Sequence, residues 1–195
     1  MRLVISEFIT LDGVVQAPGG PDEDTDNGFT HGGWSMPFFD PETMGAAMDT
    51  AAHATDVLLF GRRTWQTMAA AWPDRAGDPF ADHMNAVPKY VASRTLTQSD
   101  LTWNNSTLLP DDDAIGGVRE LKQQPGGDIY VMGSSDLARQ LVAHDLVDEY
   151  LLMIEPVVVG GGKRLFPVDG RLRGLELVEH TLSPTGVHIC TYRPT

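Results

Sequence analysis

The chain has 195 residues, 42% of them hydrophobic and 21% charged, a balance typical of a globular protein that buries a core without disulfides or a structural metal. Its formal net charge of −13 argues against nucleic acid and anionic membranes as partners, because both would be repelled. The one cysteine, Cys190, excludes an internal disulfide, and no Cys/His cluster has zinc spacing. An anionic ligand would therefore need a local basic pocket.

The N-terminal segment MRLVISEFIT alternates apolar and polar residues and carries Arg2 and Glu7, unlike the unbroken apolar run of a signal peptide. No apolar stretch of the sequence approaches the ~20 residues of a membrane span. We therefore expect a cytoplasmic protein.

The first predicted element is a strand that begins at Arg2, runs to Val15 and enters a turn at Asp12-Gly13. A long loop follows at 16–39, and a loop of this length inside a domain is usually functional. Its four aromatic residues indicate that it docks onto the protein body: Phe29, Trp34, Phe38 and Phe39. Asp40-Pro41-Glu42 then predicts a helix start, because an acidic N-cap followed by proline is typical of helix N-termini. That helix should run to about His53.

Strands and helices then alternate along the chain. Strands are predicted at DVLLFG, KYVASRTL, TWNNSTLL, GDIYVMG and VDEYLLMIEPVVV, and helices at RRTWQTMAAAW, DDAIGGVRELKQQ and SSDLARQLVAHDL. The chain closes with a hairpin, LELVEHTLSPTGVHICTYRP, whose turn is SPTG. This order predicts a single α/β domain over 1–195, with a central, mostly parallel mixed sheet flanked by helices and an antiparallel C-terminal hairpin.

Two strand-to-helix junctions are candidate phosphate sites, because each apolar strand ends at a glycine and a helix begins directly after it. The residues concerned are Gly61, Arg62, Arg63 and Thr64 at the first junction and Gly133, Ser134 and Ser135 at the second. Backbone N–H groups at a helix start attract anions, and glycine lets a phosphate approach closely. Each glycine alone could merely form a tight turn, but two such junctions in one chain indicate a dinucleotide.

A third candidate segment ends a strand with Ser93 and Arg94. A guanidinium beside a hydroxyl suits the 2′-phosphate of NADP, which favours a forked cationic donor. Taken alone, Arg94 could be an exposed loop arginine. However, four of the chain's 14 basic residues fall at these strand ends: Arg62, Arg63, Lys89 and Arg94. Together they supply the local basic pocket that the acidic surface lacks.

These segments, in this order, resemble the cofactor-binding segments of the dihydrofolate reductases: Gly61-Arg62-Arg63-Thr64-Trp65, Ser93-Arg94 and Gly133-Ser134-Ser135. In that family the G-R-x-T turn and the glycine-rich turn before the last helix hold the pyrophosphate of NADPH, and the strand end between them contacts the adenosine phosphate. The resemblance covers 1–193 and implies a dihydrofolate-reductase-like fold, an NADPH cofactor and a homodimer. Neither a flavin nor a metal is expected.

Other segments are similar to the reductase half of bifunctional riboflavin-biosynthesis proteins, the RibD C-terminal family: TLDG at 10–13 and PVVVGGGKRLF at 156–166. Three segments look like a stand-alone bacterial subgroup that lacks the fused deaminase and its zinc motif: EFITLDGVVQAPGGPDED, HGGW and DEYLLMIEPVVVGGGKRLF. The resemblance implies NADPH-dependent reduction of a ribosylamino-pyrimidine such as 5-amino-6-(5-phosphoribosylamino)uracil. The alternatives are reduction of dihydrofolate, a pterin or another small carbonyl or imine, and a non-catalytic NADP(H)-binding module.

The candidate residues for chemistry each have a structural alternative. Glu42 is the nearest match to the first-helix carboxylate of the dihydrofolate reductases, but it could be only a first-turn helix acid. Asp12 could act at the nicotinamide end or simply begin a turn. Trp34 of HGGW could stack on a heterocycle or anchor the loop. The resemblance places Gly162 and Lys163 of GGGKR near an anionic substrate group, and the alternative is a flexible turn.

Overall fold

The computed structural model describes residues 1–75 and 77–195. Within them, the strands are β1 (Arg2–Thr10), β2 (Thr55–Gly61), β3 (Lys89–Ala92), β4 (Ser106–Leu108), β5 (Asp128–Met132), β6 (Glu149–Glu155), β7 (Leu175–Leu182) and β8 (His188–Pro194). The helices are α1 (Thr43–His53), α2 (Arg62–Ala71), α3 (Pro79–Ala86), α4 (Ala114–Lys122) and α5 (Ser135–Ala143).

All of these strands belong to one sheet in the order β4-β3-β2-β5-β1-β6-β8-β7. Neighbours from β4 to β6 pair in parallel, whereas β8 pairs antiparallel with β6 and with β7. The predicted α/β fold, a mostly parallel sheet with an antiparallel C-terminal hairpin, is confirmed. The first strand therefore lies in the centre of the sheet, between β5 and β6.

The central strands are apolar on both faces because helices cover both. On one face, Leu3, Ile5 and Val131 join a core with residues of α4 and α5. On the other, Val4 and Leu58 pack with residues of α2 and α3. Buried parallel strands require such double-sided hydrophobicity. Among the described residues, no helix has the length and apolar character needed to cross a membrane.

Helix α3 was not predicted from the sequence, although its start carries the signal that correctly predicted α1. The Asp78 carboxylate accepts hydrogen bonds from the backbone N–H groups of Phe80 and Ala81, and Pro79 occupies the first turn. At α1, Asp40 accepts in the same way from the backbone N–H of Thr43, at 2.8 Å. In both places an Asp-Pro pair begins a helix.

Several predicted strands are shorter in the structure, among them β3, which ends at Ala92 although KYVASRTL was predicted as a strand. β1 ends at Thr10, and only an isolated bridge between Val14 and Arg164 continues the pairing. β4 is reduced to three residues, since Asn105 before it has a left-handed φ of 58°. β6 ends at Glu155 because the next residue, Pro156, has no N–H to donate.

The loop at 16–39 is docked onto the body, as its aromatic residues predict. Phe29 and Trp34 are buried against Val14 and Ala17, and the indole N–H of Trp34 donates to the carbonyl of Gln16 at 2.7 Å. The loop also crosses itself at Gly32, where a Cβ would overlap the carbonyl of Gly20. Packing and self-contact therefore give this segment a defined conformation despite its lack of long helices or strands.

Candidate functional site

A cleft of about 880 Å³ opens at the carboxyl ends of β1, β2, β3 and β5, within the size range of small-molecule sites. Parallel strands bring their carboxyl ends to one edge of the sheet, where ligands of α/β proteins bind. All of the residues predicted to contact the cofactor line this cleft: Gly61, Arg62, Arg63, Thr64, Ser93, Arg94, Gly133, Ser134 and Ser135. The loop at 16–39 covers part of its opening.

The two glycine junctions touch each other in the cleft. The backbone N–H of Gly61 donates to Oγ of Ser134 at 2.7 Å. A Cβ on Gly61 would lie 3.2 Å from the Ser134 side chain, and one on Gly133 would lie 3.2 Å from the Thr64 methyl carbon. Gly133 and Ser134 also have left-handed φ values of 68° and 67°. The starts of α2 and α5 therefore lie side by side, and the two glycines leave room for this contact because they have no side chains.

The helix starts at this contact keep backbone donors for a ligand. Gly61 is the N-cap of α2 and Ser134 that of α5, and within the described chain neither makes a side-chain capping hydrogen bond. The first N–H groups of a helix have no intrahelical partner, and the helix dipole favours an anion there. This part of the cleft is suited to a phosphate or pyrophosphate.

Arg63 and Lys163 line the cleft, but their charges are matched by the loop at 16–39. Arg63 forms ion pairs with Asp24 and, at 2.5 Å, with Asp26. Lys163 contacts the same two carboxylates at 2.6 and 2.9 Å. Hydrogen bonds from Arg63 and Lys163 hold the pKa of Asp26 at about 2, so its negative charge persists. The cluster fastens the loop across the cleft, a role that the sequence did not reveal for either cation.

Arg62 and Arg94 line the cleft and form no ion pair with a carboxylate among the described residues; Arg62 donates a 3.4 Å hydrogen bond to Oε1 of Gln66. Beside Arg94, Oγ of Ser93 accepts from the backbone N–H groups of Thr95 and Leu96 at 3.1 and 3.0 Å, which shapes the turn after β3. Asp111 and Asp112, which follow the neighbouring strand β4, line the same cleft. This end therefore combines two available guanidinium groups with acids that the sequence analysis did not include in the site.

The opposite end of the cleft is apolar. It is lined by side chains from β1, β6, α1 and the loop: Phe8, Met36, Phe39, Met48 and Met153. Because β1 and β6 are separated from β3 by β2 and β5, this end is remote from Arg94. Aromatic and thioether side chains suit the face of a planar heterocycle.

Glu7 lies between the two ends and was not predicted as a site residue. Its side chain lines the cleft, yet the residue is only 4% exposed, and Oε1 has no hydrogen-bond partner in the described part of the protein. Burial raises the pKa of Glu7 well above its usual value, and the charge of Glu23 adds to the shift. The signal available in the sequence was a lone acid within the apolar run of the first strand.

Glu155, at the end of β6, is a second buried acid that the sequence did not indicate. Its Oε1 accepts a 2.5 Å hydrogen bond from Oγ of Ser35, a loop residue that lines the cleft. Burial raises the pKa of Glu155 to about 7, although the bond from Ser35 acts in the opposite direction. Glu155 thus joins the sheet to the loop next to Trp34.

Four residues expected near the substrate do not line the cleft. Asp12 accepts from Thr10 Oγ1 at 2.6 Å and from the N–H of Gly160 at 3.0 Å, so it ties two turns together. Glu42 is exposed at the start of α1. Trp34 is buried beneath the loop. A Cβ on Gly162 would lie 2.9 Å from Phe29, which shows that this glycine serves packing.

The sheet order and the cleft at its carboxyl edge define an α/β protein of the dihydrofolate-reductase-like class. The family model described as RibD C-terminal domain matches residues 2–189, and the chain belongs to this family. The family is of the reductase type, which supports an oxidoreductase at the level of the enzyme class.

Two Bacillus subtilis (strain 168) proteins are relatives. The chain is 29% identical to the uncharacterized protein YyaP over 196 residues, which cover 95% of this chain and 91% of YyaP. It is 37% identical to the uncharacterized protein YwjB over 112 residues, which cover 57% of this chain and 58% of YwjB. The likeness to YyaP therefore extends over nearly the whole of both proteins.

Solved structures share the fold at low sequence identity. A protein from Shewanella sp. PV-4, described as a riboflavin biosynthesis protein, has a TM-score of 0.70 at 17% identity and covers 100% of this chain and 99% of its own. A pyrimidine reductase-like protein from Corynebacterium diphtheriae has a TM-score of 0.64 at 14% identity, covering 100% and 92%. A Thermotoga maritima diaminohydroxyphosphoribosylaminopyrimidine deaminase/5-amino-6-(5-phosphoribosylamino)uracil reductase has a TM-score of 0.67 at 12% identity, and 56% of its chain is covered.

Proposed function

We propose that the protein is an NADPH-dependent reductase that transfers a hydride to a small heterocyclic or ribosylamino-pyrimidine substrate. The observation that carries this proposal is the contact between Gly61 and Ser134, which joins two helix starts in one cleft with an apolar far end. The name of the Thermotoga neighbour, a 5-amino-6-(5-phosphoribosylamino)uracil reductase, makes that pyrimidine the leading substrate. Dihydrofolate, a pterin or another small carbonyl or imine is the alternative substrate.

The residues of the cleft fit NADPH. The starts of α2 and α5 would hold the pyrophosphate, since a glycine lies at each of the two points where these helix starts come closest to each other. Arg94, Ser93 and Arg62 would hold the adenosine 2′-phosphate. From β3 to β1 is three strand spacings, about 14 Å, so an extended dinucleotide would direct its nicotinamide towards the apolar end. There the bound cofactor would supply the hydride.

The protein itself would enclose the reacting groups. The loop at 16–39 is fastened by the ion pairs of Arg63 and Lys163 on one side and by the Glu155–Ser35 hydrogen bond on the other. Both attachments flank the cleft, and the apolar residues beneath them would exclude water from the site of transfer.

The proposal is tested by titrating the protein with NADPH and NADH and following the cofactor fluorescence. Loss of NADPH absorbance is then measured with 5-amino-6-(5-phosphoribosylamino)uracil and with dihydrofolate. We expect NADPH to bind more tightly than NADH and to be consumed with the pyrimidine. Tight binding without turnover would favour the non-catalytic NADP(H)-binding module, and absence of binding would contradict both readings.

We also propose that the protein is a homodimer formed through β7. This strand ends the sheet order, so one of its edges has no neighbouring strand among the residues described. Three of its large apolar side chains are exposed: Leu177 (51%), Val178 (45%) and Leu182 (56%). An uncovered apolar edge promotes association. The simplest closed assembly is therefore a dimer in which β7 pairs with β7 of a second protomer across a two-fold axis.

A further inference from the structure

Glu7 occupies the point where the two ends of the cleft meet. The neighbouring residue on β1, Ser6, is in register with Met132, the last residue of β5 before Gly133. Glu7 itself is in register with Leu152 of β6, next to Met153 of the apolar end. The side chain therefore lies level with the Gly133 turn on one side and with the apolar end on the other.

The surroundings of Glu7 offer its carboxyl group no compensating charge. The titratable groups that act on it are Glu23 of the loop and Tyr130 of β5. The two cations that bind the loop, Arg63 and Lys163, are already paired with Asp24 and Asp26. A buried carboxyl group without a cation or a hydrogen-bond donor is stable in its protonated form, in which its O–H is itself a donor.

We propose that Glu7 is the catalytic acid of the cleft and protonates the heteroatom of a C=N or C=O bond in the substrate. The inference rests on the proposed function, because it assigns a residue to the proton that a hydride transfer requires. In the balanced reaction, the new C–H bond would form with a hydride that bound NADPH supplies, leaving NADP⁺. The O–H bond of Glu7 breaks as the new N–H or O–H bond forms, and the resulting carboxylate regains a proton from solvent.

The other acidic residues near the cleft are less suited to donate a proton to the substrate. Asp24 and Asp26 form ion pairs that keep them charged. Glu23 is exposed, and its Oε2 accepts from the backbone N–H groups of Gly19 and Gly20 at 2.7 and 3.2 Å, which fixes a turn of the loop. Glu155 also has a buried oxygen, Oε2, without a hydrogen-bond partner among the described residues, but unlike Glu7 it does not line the cleft. Glu7 is left as the acid with an unused oxygen at the cleft wall.

The experiment compares wild type with Glu7→Gln, Glu7→Asp and Glu120→Gln, the last an exposed acid on α4 that serves as the matched control. NADPH affinity is measured by fluorescence, and turnover with 5-amino-6-(5-phosphoribosylamino)uracil is measured across pH. General acids typically contribute about 10²–10⁴-fold, so Glu7→Gln should lower kcat by that factor while the NADPH Kd stays within about twofold. Wild-type kcat should fall as the pH rises through the Glu7 ionisation. The decrease in kcat at high pH should persist in Glu7→Asp and should be absent in Glu7→Gln.

A second measurement does not depend on turnover. In protein labelled with ¹³C at glutamate carboxyl carbons, at pH 7 with NADPH bound, Glu7→Gln should remove a resonance that has the shift of a protonated acid. Glu155, whose pKa is about 7, should give a separate resonance of intermediate shift that Glu7→Gln leaves in place. A charged Glu7 at pH 7, or a Glu7→Gln variant with wild-type kcat, would overturn the assignment while leaving the reductase intact. Failure of the wild-type protein to bind NADPH would instead overturn the proposed function and this assignment together.

Discussion

Gly61 and Ser134 are 73 positions apart in the chain, yet the backbone N–H of Gly61 donates a 2.7 Å hydrogen bond to the hydroxyl of Ser134. This bond joins the turn after β2 to the turn after β5 and turns two separate helix starts into one anion-binding surface. Glycine suits one side of the contact because a Cβ on Gly61 would lie only 3.2 Å from the Ser134 side chain.

Removing the Ser134 hydroxyl should therefore weaken cofactor binding. A typical hydrogen bond contributes about 0.5–1.5 kcal/mol, so Ser134→Ala should raise the NADPH Kd roughly 2–10-fold. Ser134→Gly is the matched variant, because it also lacks the hydroxyl but accepts the left-handed φ of 67° without strain. Fluorescence titration should show weaker NADPH binding in both variants. An unchanged Kd in both would remove this hydrogen bond from the cofactor site.

Arg94 should determine the preference for NADPH. Hydrogen bonds to charged groups contribute about 1.5–3 kcal/mol, so Arg94→Ala should weaken NADPH binding about tenfold or more and hardly alter NADH binding. Asp112→Asn should act in the opposite direction, because it removes a negative charge from the same cleft. Arg119→Ala, at an exposed position of α4, serves as the control and should leave both Kd values unchanged. Equal losses of NADPH and NADH binding in Arg94→Ala would place the 2′-phosphate elsewhere.

Glu155 should make the protein less stable as the pH rises. Its pKa is about 7 in the folded protein and 4.5 ordinarily, so between these values the folded state binds more protons than the unfolded state. The free energy of unfolding should therefore fall from pH 4.5 to 7 and remain lower above that. Since one pKa unit corresponds to 1.36 kcal/mol, the contribution of Glu155 should be roughly 1–3 kcal/mol.

Urea unfolding at pH 5 and pH 8 measures this difference. Glu155→Gln should reduce it, although Glu7 contributes a slope of the same sign and should preserve part of it. The Glu120→Gln control should behave as wild type. A Glu155→Gln protein with the full wild-type pH dependence would show that Glu155 is not the group responsible.

Trp34 should matter first for the stability of the loop. Replacing a buried tryptophan by alanine typically costs about 3–5 kcal/mol, and here it would also leave the Gln16 carbonyl without its 2.7 Å donor. Trp34→Phe keeps most of the packing and should lose about 1 kcal/mol. In urea unfolding the alanine variant should be much the less stable of the two. Its turnover should fall more than its NADPH affinity, because the neighbouring residue Ser35 lines the cleft.

The oligomeric state should depend on β7. Light scattering at micromolar concentration should give about twice the 21.2 kDa mass of one chain. Leu177→Glu should shift the protein towards the monomer, whereas Leu11→Glu, at an exposed leucine outside β7, should not. A monomeric wild-type protein would exclude the dimer, and an unaffected Leu177→Glu dimer would exclude this strand as its interface.

The sequence predicted the elements whose signals are local. Hydrophobic periodicity predicted each strand, although not where each one begins and ends. Capping residues predicted α1, but the same Asp-Pro signal at Asp78 was overlooked for α3. The resemblance of short motifs predicted that the candidate cofactor segments lie together, and the structure places them along one cleft. Their mutual contact, such as the bond from Gly61 to Ser134, depends on the sheet order and could not be derived from spacing.

The chemistry of the site was less predictable because it depends on long-range pairing. Nothing local indicates that Asp24 and Asp26 neutralise Arg63 and Lys163, since these ion pairs join segments distant in the chain. Glu7 was visible only as one acid in an apolar strand. Its lack of a partner is set by which strands surround β1, and these come from the second half of the chain.

The central place of β1 also determines how the protein can be assembled. Arg2 is in register with Asp128, and Val4 with Glu149, so β1 is synthesised more than 100 residues before β5 and β6, the two strands that pair with it. Such non-local pairing slows folding and leaves an apolar strand exposed while the chain is still being made. The nascent protein therefore holds Glu7 in water until β6 has been synthesised, and the acid acquires its buried environment only when the middle of the sheet closes.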